Sequence, residues 1–200
     1  MLNIGIIMST TRDDRFAKKP AQWILDKARA YEGIEADLID LRDFDLPFFN
    51  EKATNLYARS EDARAVQWQQ KLDRYDGFIF VTAEYNHSIP AVLKNALDQA
   101  YVEWVRKPAA FVGYGGVGAS RAVEHLRGIV SELQMAPIRE AVHIGGGEFM
   151  KVSPMGDDKD MSAIDEIIAP KANDLLDDLA WWGDALKVAR EKSSPKYEAA

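Results

Sequence analysis

Three short segments of this chain carry residues whose types and spacing could do chemistry. The first is Ser9-Thr10-Thr11-Arg12-Asp13-Asp14-Arg15. Its hydroxyls, backbone N–H groups and two arginines stand just before a helical pattern. A helix amino terminus favours an anion through unpaired N–H donors and its dipole. Arg12 can add a bidentate, charge-assisted contact. A phosphate is the anion such a loop suits. The other reading is a helix cap made by Ser9, Thr10 or Thr11, with Arg12 and Arg15 paired to Asp13 and Asp14. From this loop alone, both readings stand.

The second segment runs Ala83-Glu84-Tyr85-Asn86-His87-Ser88-Ile89-Pro90, then into Ala91-Val92-Leu93-Lys94-Asn95. Ser88 reads as an N-cap and Pro90 as a first-turn residue of the following helix. Glu84 to His87 then form a loop with free backbone amides, and Tyr85 offers a flat face. A planar heterocycle with acceptors along one edge would fit there. The alternative is ordinary capping chemistry, with Tyr85 packed on the protein. The third segment is Gly113-Tyr114-Gly115-Gly116-Val117-Gly118. Glycine lets backbone approach a ligand closely or take positive φ, although tight strand-to-helix turns use it too.

Other chemical residue types lack the spacing for a site. His87, His125 and His143 are far apart and not in metal-ligand spacing, so no metal is expected. Ser9 and Ser88 lack the G-x-S-x-G setting of a hydrolase nucleophile. The acidic run from Asp157 to Asp160 reads as a solvated loop, and Trp181-Trp182 as packing for the last helix.

The elements that must position the three segments follow from hydrophobic pattern. Short apolar runs at Leu2 to Met8, Ile34 to Leu41, Gly77 to Thr82, Ala109 to Tyr114 and Ile138 to Ile144 predict five buried strands. Helical spacing covers Ala17 to Tyr31, Glu61 to Tyr75, Pro90 to Val102, about Ala119 to Gln134, and Ser162 to Arg190. The last helix carries the stripe Ile164, Ile168, Leu175, Leu179, Trp182 and Leu186. Asp43 to Asn55 is irregular and holds the apolar group Leu46-Pro47-Phe48-Phe49. Strands alternating with helices predict an α/β fold, a parallel sheet with helices on both faces. The dinucleotide-binding type would place G-x-G-x-x-G after strand one, where this chain has Ser9-Thr10-Thr11-Arg12. A flavodoxin-like doubly wound sheet, order 2-1-3-4-5, is expected instead. Residues 1–200 read as one domain without repeats.

The totals narrow the function. The chain has 200 residues, 47% of them hydrophobic and 28% charged, which is ordinary for a folded domain. A net charge of −7 argues against nucleic-acid or anionic-membrane partners. With no cysteine, thiol redox chemistry and Fe–S clusters are excluded, so a bound cofactor must carry any electrons. The start MLNIGIIMSTTRDDR lacks the basic opening and long apolar run of a signal peptide. No apolar stretch approaches membrane-spanning length. A cytoplasmic location is expected.

In such sheets ligands sit outside the carboxyl ends of the strands, at the switch point between strands one and three. All three segments fall there. A phosphate loop after strand one, with planar-ring loops after strands three and four, describes flavin mononucleotide. Here the chain resembles the NADPH-dependent FMN reductase family of flavodoxin-like oxidoreductases. The family's G-S-x-R-x-x-R is matched by Thr10, Arg12 and Arg15. Its P-E-Y-N-x-S-x-P-x-x-L-K-N-A-x-D is matched almost throughout from Ala83 to Asp98. Trp104, Lys107 and Pro108 match its W-x-x-K-P, and Tyr114-Gly115-Gly116 its Y-G-G loop. Ser9 replaces the usual Gly, and Ala83 the usual Pro.

The resemblance implies bound FMN held by Ser9, Thr10, Thr11, Arg12, Arg15, Ala83, Glu84, Tyr85, Asn86, His87, Tyr114, Gly115 and Gly116. It implies hydride transfer from NAD(P)H to flavin N5, then reduction of a quinone, free flavin, azo compound or metal ion by a ping-pong mechanism. No side chain is assigned as acid or base. A homodimer or dimer of dimers is expected, from Leu46-Pro47-Phe48-Phe49 with Tyr101 and Trp104. The rival functions are a flavodoxin-type electron carrier and a flavin-binding regulatory protein without turnover.

Overall fold

The computed structural model describes residues 1–193. Its sheet has five parallel strands in the order β2-β1-β3-β4-β5: β1 Leu2–Met8, β2 Ile34–Asp40, β3 Gly77–Ala83, β4 Pro108–Tyr114 and β5 Ala136–Ile144. Every residue of β3 and β4 is buried, which is why both read as unbroken apolar runs. The fold is the expected flavodoxin-like sheet.

Helices cover both faces. Helices α1 (Lys18–Ala30) and α6 (Ser162–Lys192) pack on one face, where Trp23, Ile24, Ile164, Ile168 and Leu175 meet Ile4, Ile6, Ile79 and Val112. Helices α2 (Ala63–Asp73), α3 (Ala91–Asp98) and α4 (Ser120–Glu132) pack on the other, where Trp68, Leu97 and Leu126 meet Ile7, Phe78, Phe80 and Phe111. Strand β1 pairs with β2 on one side and β3 on the other. The chain therefore reverses direction across the sheet beside β1, and a crevice opens at the carboxyl ends of β1 and β3.

Four local expectations need correction. A short helix α5 (Gly146–Val152) follows β5, where no element was expected between Ile144 and Ser162. The buried stripe of α6 runs Ile164, Ile168, Ala172, Leu175, Leu176, Leu179, Gly183, not through Trp182. At Gly183 the helix comes so close to β1 that an added Cβ would lie 2.6 Å from Leu2 Cδ1. Trp182, one residue earlier on the helix, is turned outward; it and Trp181 are exposed and meet edge to face, ring centroids 5.1 Å apart. Trp104, expected in an exposed cluster with Phe48 and Phe49, is fully buried against Trp68, Phe78 and Phe80. Lastly, α3 starts at Ala91 with Pro90 as its N-cap residue, so Ser88 does not cap it.

Candidate active site

The crevice holds a cleft of about 520 Å³, within the size range of small-molecule sites. Its walls come from all three segments: Thr10, Arg12, Asp14 and Arg15 after β1, Ala83 at the end of β3 with Glu84 and Tyr85 after it, and Tyr114 at the end of β4 with Gly115 and Gly116 after it. Four residues of the expected set do not line it. Ser9 is fully buried and donates its hydroxyl to the Val81 carbonyl, which ties the end of β1 to β3. Thr11, Asn86 and His87 lie outside the lining.

The β1 loop is not a helix cap. Helix α1 begins only at Lys18, behind Ala17, and has no side-chain cap. Nor do the arginines pair with their neighbours. Arg15 is buried, bonds both carboxylate oxygens of Asp40 and donates 2.7 Å to the Thr10 carbonyl. Asp13 pairs with Arg42 at 2.9 Å. Arg12 is exposed at the cleft and has no hydrogen-bond or ion-pair partner among the described residues. One arginine thus shapes the loop and the other is left with its charge available. Among the described residues, the Arg15 Nε–H is buried without a partner.

The β3 loop is a tight two-residue turn. Tyr85 and Ser88 exchange backbone bonds, N–H to carbonyl, at 2.9 and 3.1 Å. Asn86 and His87 between them take positive φ of 52° and 67°, a conformation that Asn and His tolerate better than most residues. The Tyr85 N–H is therefore engaged within the turn, and its half-exposed ring faces the cleft.

In the β4 loop, Gly113 is required by close approach: an added Cβ would collide with the Gly118 carbonyl oxygen. Gly118 itself has φ of +64°, which an L side chain resists. Gly115 and Gly116 have nothing within 4 Å of an added Cβ, so their surface is open to the cleft. Tyr114 is buried, with its hydroxyl 3.4 Å from Thr10 Oγ1. Burial pushes its phenol up to about 12, which keeps it neutral and able to donate.

One wall has no forerunner in the motifs. Phe149, Met150, Pro154 and Met155, from α5 and the loop after it, also line the cleft. Phe16 joins them to Tyr114, with ring centroids 5.2 Å from Tyr114 and 5.3 Å from Phe149. Only the apolar letters of Phe149-Met150 hinted at this wall.

Comparison with known proteins decides the family. The model of the NADPH-dependent FMN reductases matches residues 2–148. The chain belongs to that family. It is an oxidoreductase, with FMN and NAD(P)H as the family's flavin and electron donor. An NAD(P)H-dependent FMN reductase of Schizosaccharomyces pombe is 33% identical over 136 residues, covering 66% of this chain and 67% of its own. A 2-hydroxy-1,4-benzoquinone reductase of a Burkholderia species is 33% identical over 141 residues, covering 67% of this chain and 73% of its own. Among solved structures, an NAD(P)H:acceptor oxidoreductase of Paracoccus denitrificans shares the fold, with a TM-score of 0.68 and 23% identity over 92% of this chain and 98% of that one.

This FMN reductase chain has the residues to suit its flavin. Its cleft is lined by a cation without a hydrogen-bond or ion-pair partner among the described residues, Arg12, by an open glycine surface at Gly115 and Gly116, and by Tyr114, which burial keeps neutral.

Proposed function

We propose that the cleft binds FMN, with its phosphate at the Thr10–Arg12 loop and its ring between Tyr85 and the Tyr114–Gly116 wall. The observation that carries this reading is Arg12, exposed at the cleft with no hydrogen-bond or ion-pair partner among the described residues, while the guanidinium tip of Arg15 is held by Asp40. When bound, FMN supplies the redox chemistry, taking hydride from NAD(P)H at N5 and passing electrons to an acceptor.

The side chains bind, orient and exclude water. Arg12 neutralises phosphate charge and offers a bidentate fork. Tyr114, held neutral by burial, spaces the β4 loop from the β1 loop through its contact with Thr10. Phe16 and Phe149 seal the side away from solvent. No side chain is assigned as acid or base. Donor and acceptor would share one cleft mouth and occupy it in turn, so a ping-pong mechanism follows.

Acceptors could be quinones, free flavins, azo compounds or metal ions. A quinone fits best, because Tyr85, Phe149, Met150 and Met155 make an apolar rim with adaptable methionines, and a relative acts on a benzoquinone. Use of NAD(P)H suits the cytoplasm, and no described helix is long and apolar enough to cross a membrane. A homodimer or dimer of dimers is part of this reading. Phe48, Phe49 and Tyr57 remain exposed, and the Pro47 carbonyl is held against α3 by Asn95 and Gln99 at 2.8 and 2.7 Å.

The test is a flavin titration of the purified protein. FMN should bind more tightly than riboflavin and show bound-flavin visible bands. Equal affinities would remove the phosphate assignment. Double-reciprocal plots with NAD(P)H and a benzoquinone should be parallel; intersecting lines would exclude alternate use of one mouth. A monomer by light scattering at micromolar concentration would exclude the dimer.

A further inference from the structure

Helix α4 begins without help from its own residues. Its N-cap residue, Ala119, has φ of +54° and no capping side chain, and its first turn has no acidic residue. A helix start with unmatched N–H donors and a positive dipole end needs an acceptor from elsewhere.

Glu84, the first residue after β3, supplies it. Its carboxylate accepts the Arg121 N–H at 3.2 Å and the Arg121 Nε–H at 2.5 Å, and pairs with Arg121 Nη2. Burial alone would raise this carboxyl; bonds from the Arg121 side chain and from the Ala122 and Arg121 backbone outweigh that and hold it below the usual carboxylate range. The Glu84 side chain is only 8% exposed, so the pair is shielded on its acidic side.

One helical turn further along α4, His125 Nδ1 lies 2.8 Å from Ser88 Oγ. Residues 121 and 125 share a helix face. Residues 84 and 88 bracket the Tyr85–Ser88 turn. Both ends of that turn are therefore fastened to one face of α4. The same helix is the continuation of the Gly115–Gly118 loop. A clamp of four side chains thus joins the β3 loop to the β4 loop, and bypasses the β1 loop.

We infer that Arg121 and His125 are positioning residues: acting through Glu84 and Ser88, they set the separation between the two loops that flank the flavin ring. Neither Arg121 nor His125 lines the cleft. Their effect would be on the ring alone, since the phosphate end is built from a loop they do not touch. The inference rests on the FMN reading given above.

The experiment compares FMN and riboflavin binding by fluorescence titration, with visible circular dichroism of the bound flavin and a thermal melt of each flavin-free variant. The wild type comes first: if it binds neither flavin, the FMN reading fails and the clamp falls with it. If it binds, Arg121→Ala should weaken FMN and riboflavin by the same factor, about tenfold for a lost charged cap, and should alter the dichroism of the bound ring. Arg12→Ala should weaken FMN only and leave the dichroism unchanged. In a double-mutant cycle, Glu84→Gln with Arg121→Gln should lose no more than the worse single variant, because the two act as one unit.

Should Arg121→Ala fail to fold, Arg121→Lys and Ser88→Ala take its place; each should weaken both flavins by about threefold with a shifted dichroism. A lowered Tm with both affinities and the dichroism of the bound ring unchanged would mean that the clamp only stabilises the fold, and would overturn the inference. So would a loss confined to FMN, or additive losses in the cycle.

Discussion

The two ends of the sheet treat charge in opposite ways. At the amino end, Asp76 ahead of β3 accepts the Asn3 N–H at 3.1 Å, Lys187 Nζ at 2.8 Å and Arg190 Nη2 at 2.9 Å. Arg190 also donates to the Arg106 carbonyl at 2.7 Å, and the buried Lys107 ammonium to the Leu72 carbonyl at 3.3 Å. These bonds fasten α6 and α2 to the strand starts. At the carboxyl end, Arg15 is engaged but its Nε–H is not, Arg12 has no partner among the described residues, and Tyr85 presents a half-exposed ring to a cleft. Charges matched within the chain serve the fold; charges left over beside a cavity serve a ligand. The contrast can be tested by asking which substitutions move stability, which move flavin binding, and which move both.

The largest effect is expected where site and fold coincide. Gly113→Ala would drive a methyl into the Gly118 carbonyl, and backbone cannot yield as a side chain can. The cost should reach about 3 kcal/mol, the upper end for overpacking, with flavin binding lost as the β4 loop is displaced. A thermal melt and an FMN titration check it; a variant with wild-type Tm and affinity would show that the close approach does not exist.

Arg12→Ala should sharpen the contrast. A charge-assisted bond is worth about 1.5–3 kcal/mol, or about one to two powers of ten in FMN affinity. Riboflavin affinity and flavin-free Tm should stay put, because Arg12 makes no hydrogen bond or ion pair among the described residues. Equal weakening of both flavins would move the phosphate elsewhere.

Asp76→Asn should do the reverse. It removes the negative charge between two cations and one of its two acceptor oxygens at a partly buried site, for a loss of about 1–2 kcal/mol in stability, with FMN affinity unchanged. Burial alone would raise the Asp76 carboxyl, but the Lys187 bond and the Asn3 N–H outweigh it and hold it below the usual range. A depressed carboxyl stabilises the fold above the unfolded value and loses that contribution as pH falls through the folded one. The gap between wild type and Asp76→Asn, read from urea melts, should therefore be open at neutral pH and close below about pH 4. A gap that persists in acid would mean the carboxylate was not the source of the stability.

How far the sequence alone reached follows from what each signal measures. Fully buried strands announce themselves as apolar runs, so all five strands were legible, and with them the sheet order. The loops after β1, β3 and β4 were legible because glycine, proline and hydroxyl residues concentrate where backbone turns sharply. Side-chain partners were not. Nothing local to Arg15 points to Asp40, which lies 25 residues away at the end of β2, so adjacent aspartates looked like its partners. Apolar type also does not say what covers a residue. Trp104 was expected at an interface and is buried; Trp182 was expected in the packing stripe and is exposed because Gly183 takes the contact with Leu2. The α5 wall went unseen because a seven-residue helix is too short for a period to show.

The smallest effect tests the amino end by pH. Burial lowers the Lys107 ammonium to about 8 from its ordinary 10.5. Below about pH 8 the group is charged whether the chain is folded or not, and the fold carries the full penalty of a buried ammonium. Between about 8 and 10.5 the unfolded chain keeps its proton while the folded one has released it, so stability rises with pH across that window. Lys107→Met removes the titration. It also removes the bond to the Leu72 carbonyl and the ammonium 5.6 Å over the Phe78 ring. Those losses offset most of the relief, leaving Lys107→Met about 1 kcal/mol more stable than wild type at pH 7. As pH rises to about 10, wild type should gain on the variant and overtake it, since its amine is then neutral and still bonded. Urea melts of both proteins from pH 7 to 10 give the two curves. Parallel curves would show that Lys107 is not desolvated at the foot of β4. Flavin affinity should be the same in both proteins at every pH, and a difference there would break the separation between the two ends of the sheet.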